Sequence, residues 1–97
     1  MSSIFWTAQA RLDLAAIRAF ITQDSPNYAA VIVAQRIAAT DQLAAFPESG
    51  RAVPEFDDPF VREIVRRPYR IVCRSAASDQ AHVLTIHHGS QRFPSEL

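Results

Sequence analysis

The chain predicts an α+β domain of order β-α-α-β-β-β, with a helix hairpin on one face of a mainly antiparallel four-stranded sheet. Three observations predict it. Apolar residues recur at helical spacing through the first half, broken once by Gln23-Asp24-Ser25-Pro26. From Val61 the hydrophobic period changes to two. Between these halves, Arg51 to Pro59 carries Pro54, Asp57, Asp58 and Pro59, the composition of a loop.

Each element follows from local residue chemistry. Ser3 to Trp6 is a short apolar and aromatic run that reads as the first strand. Thr7 caps the first helix, on which Ala10, Leu14, Ile17 and Ile21 share one face, while Arg11, Asp13 and Arg18 lie away from its centre. Ser25 caps the second helix and Pro26 takes its first position, where a missing N–H costs nothing. Ala30, Val33, Ile37 and Ala44, widened by Ala29, Leu43 and Phe46, are its expected buried stripe, and Pro47 and Gly50 end it. In the second strand Arg62, Ile64 and Arg66 face one way, Glu63 and Val65 the other. Pro68 interrupts, Tyr69 to Arg74 forms the third strand, and Ala81 to His87 forms the last. On that last strand His82, Leu84, Ile86 and His88 are expected on one face and His87 on the other. Ser90 to Leu97 reads as a loose tail. There are no repeats and no internal boundary, so residues 1–97 form one domain.

Composition narrows the function classes. The chain is 48 % apolar and has no net charge, as a folded soluble globule does. No apolar run approaches the roughly 20 residues of a membrane helix. Its opening, Met1 to Trp6, lacks the features of a secretory signal, and Cys73 is the only cysteine, so a cytoplasmic protein with a buried, unreactive thiol is expected. Two glycines exclude phosphate-cradling loops, and His82 and His88 lie roughly 20 Å apart at strand rise, which argues against a metal site. No cofactor is expected. Through Asp58 acids outnumber arginines, and from Pro59 the balance reverses with Arg62, Arg66, Arg67, Arg70, Arg74 and Arg92. The second half is therefore the surface for an acidic partner. All ten basic residues are arginine, a bias that a GC-rich genome would produce. Guanidinium suits forked hydrogen bonds to oxyanions and does not exchange protons near neutrality.

Four motifs in fixed order carry a resemblance. They are Ala10-x-x-Asp13-Leu14-x-x-Ile17, then Phe46-Pro47-x-x-Gly50-Arg51, then Tyr69-Arg70-Ile71-Val72, and last His88-Gly89-x-x-Arg92-Phe93-Pro94. Over nearly the whole chain this pattern resembles the ParE/RelE family, the small bacterial toxins of type II toxin–antitoxin operons. That family contains ribosome-dependent enzymes that cut mRNA and non-enzymes that poison DNA gyrase. The resemblance implies a cognate ParD-like antitoxin that covers an apolar groove near helix one and the sheet. The ending from His88 to Pro94 resembles the ParE-like branch, which implies gyrase as target and no catalytic residue. Partner contacts are then expected from Arg51, Arg62, Arg70, Arg74, His88 and Arg92, with Leu14 and Ile17 on helix one.

The alternative is a RelE-like mRNA endoribonuclease acting on the ribosome, in which Arg70 would stabilise phosphorane charge and His87, His88 or Glu55 would move protons. Against it stands the absence of lysine, on which the RelE branch relies. Plainer roles compete throughout. Arg51 would bond the last carbonyls of helix two. Arg70 would bridge to Glu63 across the hairpin, Arg62, Arg66 and Arg74 would be solvated, and Tyr69, Ile71 and Cys73 would be core.

Overall fold

The computed structural model describes residues 3–75 and 80–89. Strand β1 (Ser3–Trp6) leads into α1 (Ala8–Thr22) and α2 (Pro26–Ala45). A single 3-10 turn, Pro47–Ser49, separates α2 from β2 (Arg51–Ala52). Then come β3 (Val61–Arg66), β4 (Tyr69–Ser75) and β5 (Gln80–His88). The sheet order is β1-β5-β4-β3-β2. The last three strands form the expected antiparallel meander, and β1 joins β5 in parallel. The sheet has five strands rather than four: Arg51 and Ala52 pair with Glu63 and Arg62 at the head of a segment that reads as loop in the sequence.

The helix ends are where side-chain chemistry puts them. Thr7 Oγ1 accepts from the Ala10 N–H at 3.2 Å and donates to the Val83 carbonyl at 2.7 Å, so one hydroxyl caps α1 and ties it to β5. Ser25 Oγ accepts from the Tyr28 N–H at 3.1 Å, with Pro26 beginning α2. Ser49 Oγ donates to the Phe46 carbonyl at 2.7 Å and closes the exit of α2. Gly50 follows because nothing larger fits: an added Cβ would lie 2.5 Å from Leu43 Cδ1 and 2.7 Å from the Glu63 carbonyl oxygen.

The helices cover one sheet face. Ile17, Ile32, Ala39, Tyr69, Ile71 and Ile86 make one buried cluster, and Ala10, Leu43, Ile64, Cys73 and Val83 make a second. Burying a side chain such as Ile71, which is fully enclosed, contributes about 2–3 kcal/mol. The buried side of α2 is rotated from the expected one. Ala29, Ile32, Arg36, Ala39, Thr40, Leu43 and Ala44 are buried, whereas Ala30 and Ile37 are exposed and Val33 is half-buried. Apolar residues occur on both sides of this alanine-rich helix, so periodicity alone does not choose between them.

The other sheet face has a small core of its own. Val53, Val61 and Val72 are buried with Phe56 and Leu84 packed against them, so the 53–60 segment folds back over the sheet. A register shift also corrects the reading of β5. Thr85 pairs with Val72 but Val83 with Cys73, leaving Leu84 as the extra residue of a bulge. Val83 therefore shares the helix-covered face with Ile86, and His82 is displaced from the face that holds His88.

Candidate functional site: an arginine–carboxylate network and an apolar groove

Arg70 is the centre of the face opposite the helices. Its Nε donates to Glu63 Oε1 at 2.9 Å and to Oε2 at 3.0 Å, and Nη2 lies 2.7 Å from Glu63 Oε1. Nη1 and Nη2 also reach Glu55 Oε2 and Oε1 at 2.7 and 2.8 Å, a forked pair. The register explains the convergence. Arg70 lies across from Val65 in β3, so its side chain is diagonal to Glu63 on the same face, and the folded-back 53–60 segment delivers Glu55 from above. The Glu63 side chain is fully buried, Arg70 is 16 % exposed and Glu55 41 %. The bridge to Glu63, one of the three sequence readings for Arg70, is present; the second carboxylate was not anticipated as a bridge.

The charges answer one another. Hydrogen bonding to Arg70 pulls the Glu55 carboxyl down to about 2. Bonds from Glu55 first, then Glu63, push the Arg70 guanidinium further up, against the opposing effect of burial. Arg51, expected to bond the carbonyls closing α2, instead places Nη2 3.5 Å from Glu63 Oε2. Arg74 is paired with Asp58, whose carboxyl is lowered first by the Phe60 N–H and then by Arg74. Arg62 Nε donates to the Pro59 carbonyl at 3.2 Å. Thus the acids at the end of the first half neutralise arginines of the second. The charge asymmetry along the sequence is largely folded away on this face.

The histidines divide as their strand positions dictate. His87 lies across from Arg70 in the β4–β5 register and is buried. His88 is half-buried and meets the Tyr69 ring edge-on, centroids 5.3 Å apart at 88°. Burial pushes the Cys73 thiol up to about 12. Arg92 lies outside the described residues. Among the described residues no cluster of three His, Cys, Asp or Glu could hold a metal ion, and no helix is long and apolar enough to cross a membrane.

The second feature is apolar. Ile4, Phe5 and Trp6 of β1, Leu14, Ala15 and Ala19 of α1, and Val33 of α2 line a groove of about 890 Å³, with Arg11 and Arg18 also along it. Phe5 is 57 % exposed there. Leu14 is half-buried in the groove wall, while Ile17 is a core residue at 6 % exposure. Asp13 holds the neighbouring face of α1 against β5. Its Oδ2 accepts from Thr85 Oγ1 at 2.5 Å and from the Ile86 N–H at 3.1 Å. That role was not legible from Asp13's position off the apolar stripe.

A helix hairpin on one face of a mixed, mostly antiparallel five-stranded sheet defines a small α+β fold. Residues 4–93 match the family model described as the ParE toxin of the type II toxin–antitoxin system, parDE. Toxin RelE2 of Caulobacter vibrioides is 33 % identical over 91 residues, covering 94 % of this chain and 99 % of that protein. The protein Y4kP of Sinorhizobium fredii is 34 % identical over 94 residues, covering 97 % and 95 %. Among solved structures, a chain of the chromosomal ParDE TA system from P. aeruginosa superposes with a TM-score of 0.71 at 25 % identity, covering 91 % of this chain and 96 % of that one. The chain belongs to the ParE toxin family of type II toxin–antitoxin systems. It is the toxin of such a system, and a cognate antitoxin partner goes with that membership.

Proposed function

We propose that this toxin acts on DNA gyrase by binding, and that it makes or breaks no bond itself. The observation that carries this reading is the double engagement of Arg70 by Glu55 and Glu63. A guanidinium that stabilises a phosphorane must direct its donors at the developing charge. Here one edge is committed to a buried carboxylate and the other to a forked partner, so the charge is offset before any phosphate arrives. The buried position of His87 and the absence of lysine support the same reading.

In this account the ParD-like antitoxin lays an apolar segment along the groove between β1 and α1, against Phe5, Trp6 and Leu14. Arg11 and Arg18 on the groove wall suit acidic residues of that segment. Free toxin then exposes apolar surface and self-associates. Phe5→Asp would abolish capture of the antitoxin while leaving the fold, because Phe5 is 57 % exposed on the groove.

A second reading, ribosome-dependent mRNA cleavage, is favoured by the name RelE2 carried by one relative. Inducing the chain without its antitoxin separates the two. DNA-damage signalling that precedes translation arrest supports gyrase; prompt translation arrest with cut transcripts overturns it.

A further inference from the structure

Arg36 differs from the paired arginines of the sheet. It is 6 % exposed in the middle of α2, and its Nε has no hydrogen-bond acceptor among the described residues. Its Nη2 has only the Arg67 carbonyl at 3.5 Å, the outer limit of a hydrogen bond, and its guanidinium carbon stands 5.4 Å from the Tyr69 ring centroid. Arg51, Arg70 and Arg74 each meet a carboxylate; among the described residues Arg36 meets none. Burial lowers its affinity for the proton; Tyr69 opposes this, and the neighbouring charge of Arg66 adds to it.

A buried cation without a counter-charge is unfavourable unless something supplies one. Arg36 lines an open cavity of about 430 Å³ between the end of α1, the first half of α2 and the β3–β4 turn. Arg66 and Arg67 stand exposed at the same cavity, and among the described residues no acidic side chain lines it. Apart from the Gln35 amide the remaining walls are mostly apolar and aromatic, Phe20, Ile21, Tyr28 and Ile32 among them, with Phe20 68 % and Tyr28 57 % exposed. Arg36, Arg66 and Arg67 all line this cavity, and among the described residues no carboxylate pairs with any of the three.

We propose that this cavity is an oxyanion pocket that receives the carboxylate of an Asp or Glu from an acidic peptide segment, with an adjacent apolar side chain of that segment against Phe20 and Tyr28. The walls choose a peptide over nucleic acid. A phosphodiester arrives between two sugars and beside further phosphates, which would set polar groups against Ile21 and Ile32. A carboxylate beside an apolar residue satisfies both the floor and the walls. The inference stands whether the toxin's target is gyrase or the ribosome, so its failure leaves that question untouched.

The test uses the full chain labelled with nitrogen-15, and follows the side-chain Nε–H resonance of Arg36. Four probes are titrated: the capped tripeptides acetyl-Leu-Glu-Phe-amide and acetyl-Leu-Gln-Phe-amide, inorganic phosphate, and a short DNA duplex. The expected result is a saturable shift with the Glu peptide, binding roughly tenfold weaker for the Gln peptide because a charge-assisted pair is lost. Affinity falls with added salt and drops about threefold in Arg66→Gln or Arg67→Gln, exposed positions whose change leaves the fold intact. No saturable shift, equal response to the two peptides, or tighter binding of phosphate or duplex than of the Glu peptide would each overturn the proposal.

Discussion

Arg70 Nε lies 2.9 Å from Oε1 of Glu63, a carboxylate with no exposed surface. The pair joins β3 to β4 diagonally across the sheet. Removing the arginine would leave a buried charge unanswered, apart from Arg51 Nη2 at 3.5 Å. Arg70→Ala is therefore expected to cost about 3 kcal/mol in urea unfolding, and Arg70→Met with Glu63→Leu to recover most of it. A loss below about 0.5 kcal/mol would show the pair to be dispensable. Loss of toxicity in Arg70→Ala thus speaks to mechanism only after stability has been restored by the double change.

Glu55 contributes on the solvent side of the same network. Its carboxyl falls from an ordinary value of 4.5 to about 2 because it accepts from Arg70. A depressed carboxylate stabilises the fold above its unfolded value and loses that contribution as pH falls toward the folded one. Glu55 is 41 % exposed, so screening keeps the contribution to about 0.5–1 kcal/mol. Glu55→Gln should then be less stable than the parent at pH 7, with the gap closing between about pH 4.5 and pH 2. A gap that persists unchanged at pH 2 contradicts the assignment.

Gly50 is expected to be intolerant for steric reasons. The alanine Cβ would press on Leu43 and on the Glu63 backbone, which holds the carboxylate that Arg70 needs. Overpacking of this kind costs about 1–3 kcal/mol, or about 4–8 °C of Tm per kcal/mol in a domain of this size. An unchanged melting temperature in Gly50→Ala would mean that the β2–β3 approach relaxes freely.

Cys73 should be silent. It is 4 % exposed and its thiol is pushed up to about 12 by burial, so little thiolate exists at neutral pH. A disulfide reagent at pH 8 should label it only at the rate of unfolding, and immediate stoichiometric labelling of the native chain would refute this.

The helices, their caps and the β3-β4-β5 meander were legible because each is set by local chemistry. Thr7, Ser25 and Pro26 act on their own turns, and strand periodicity is written in adjacent residues. The rest depends on what arrives from a distance. Arg36 is buried against hydropathy because Tyr69 and the Arg67 carbonyl lie beneath it. Val53, Glu55 and Asp58 sit in a Pro- and Asp-rich segment, and only the folded sheet reveals that it closes over β3 and β4. The bulge at Leu84, which displaces His82, leaves no local mark in the sequence. Of the candidate site, the Arg70–Glu63 bridge could be read from pairing across a hairpin. The second carboxylate could not, nor could the burial of an Arg36 that meets no carboxylate among the described residues.

The central claim is that this toxin binds its target without performing chemistry on it. The most direct test gives the purified full chain to DNA gyrase with relaxed plasmid, and in parallel to translating ribosomes on a defined mRNA. The account predicts inhibited supercoiling with accumulation of cleaved plasmid and an intact transcript. Cut mRNA at the ribosome, with gyrase unaffected, would contradict it.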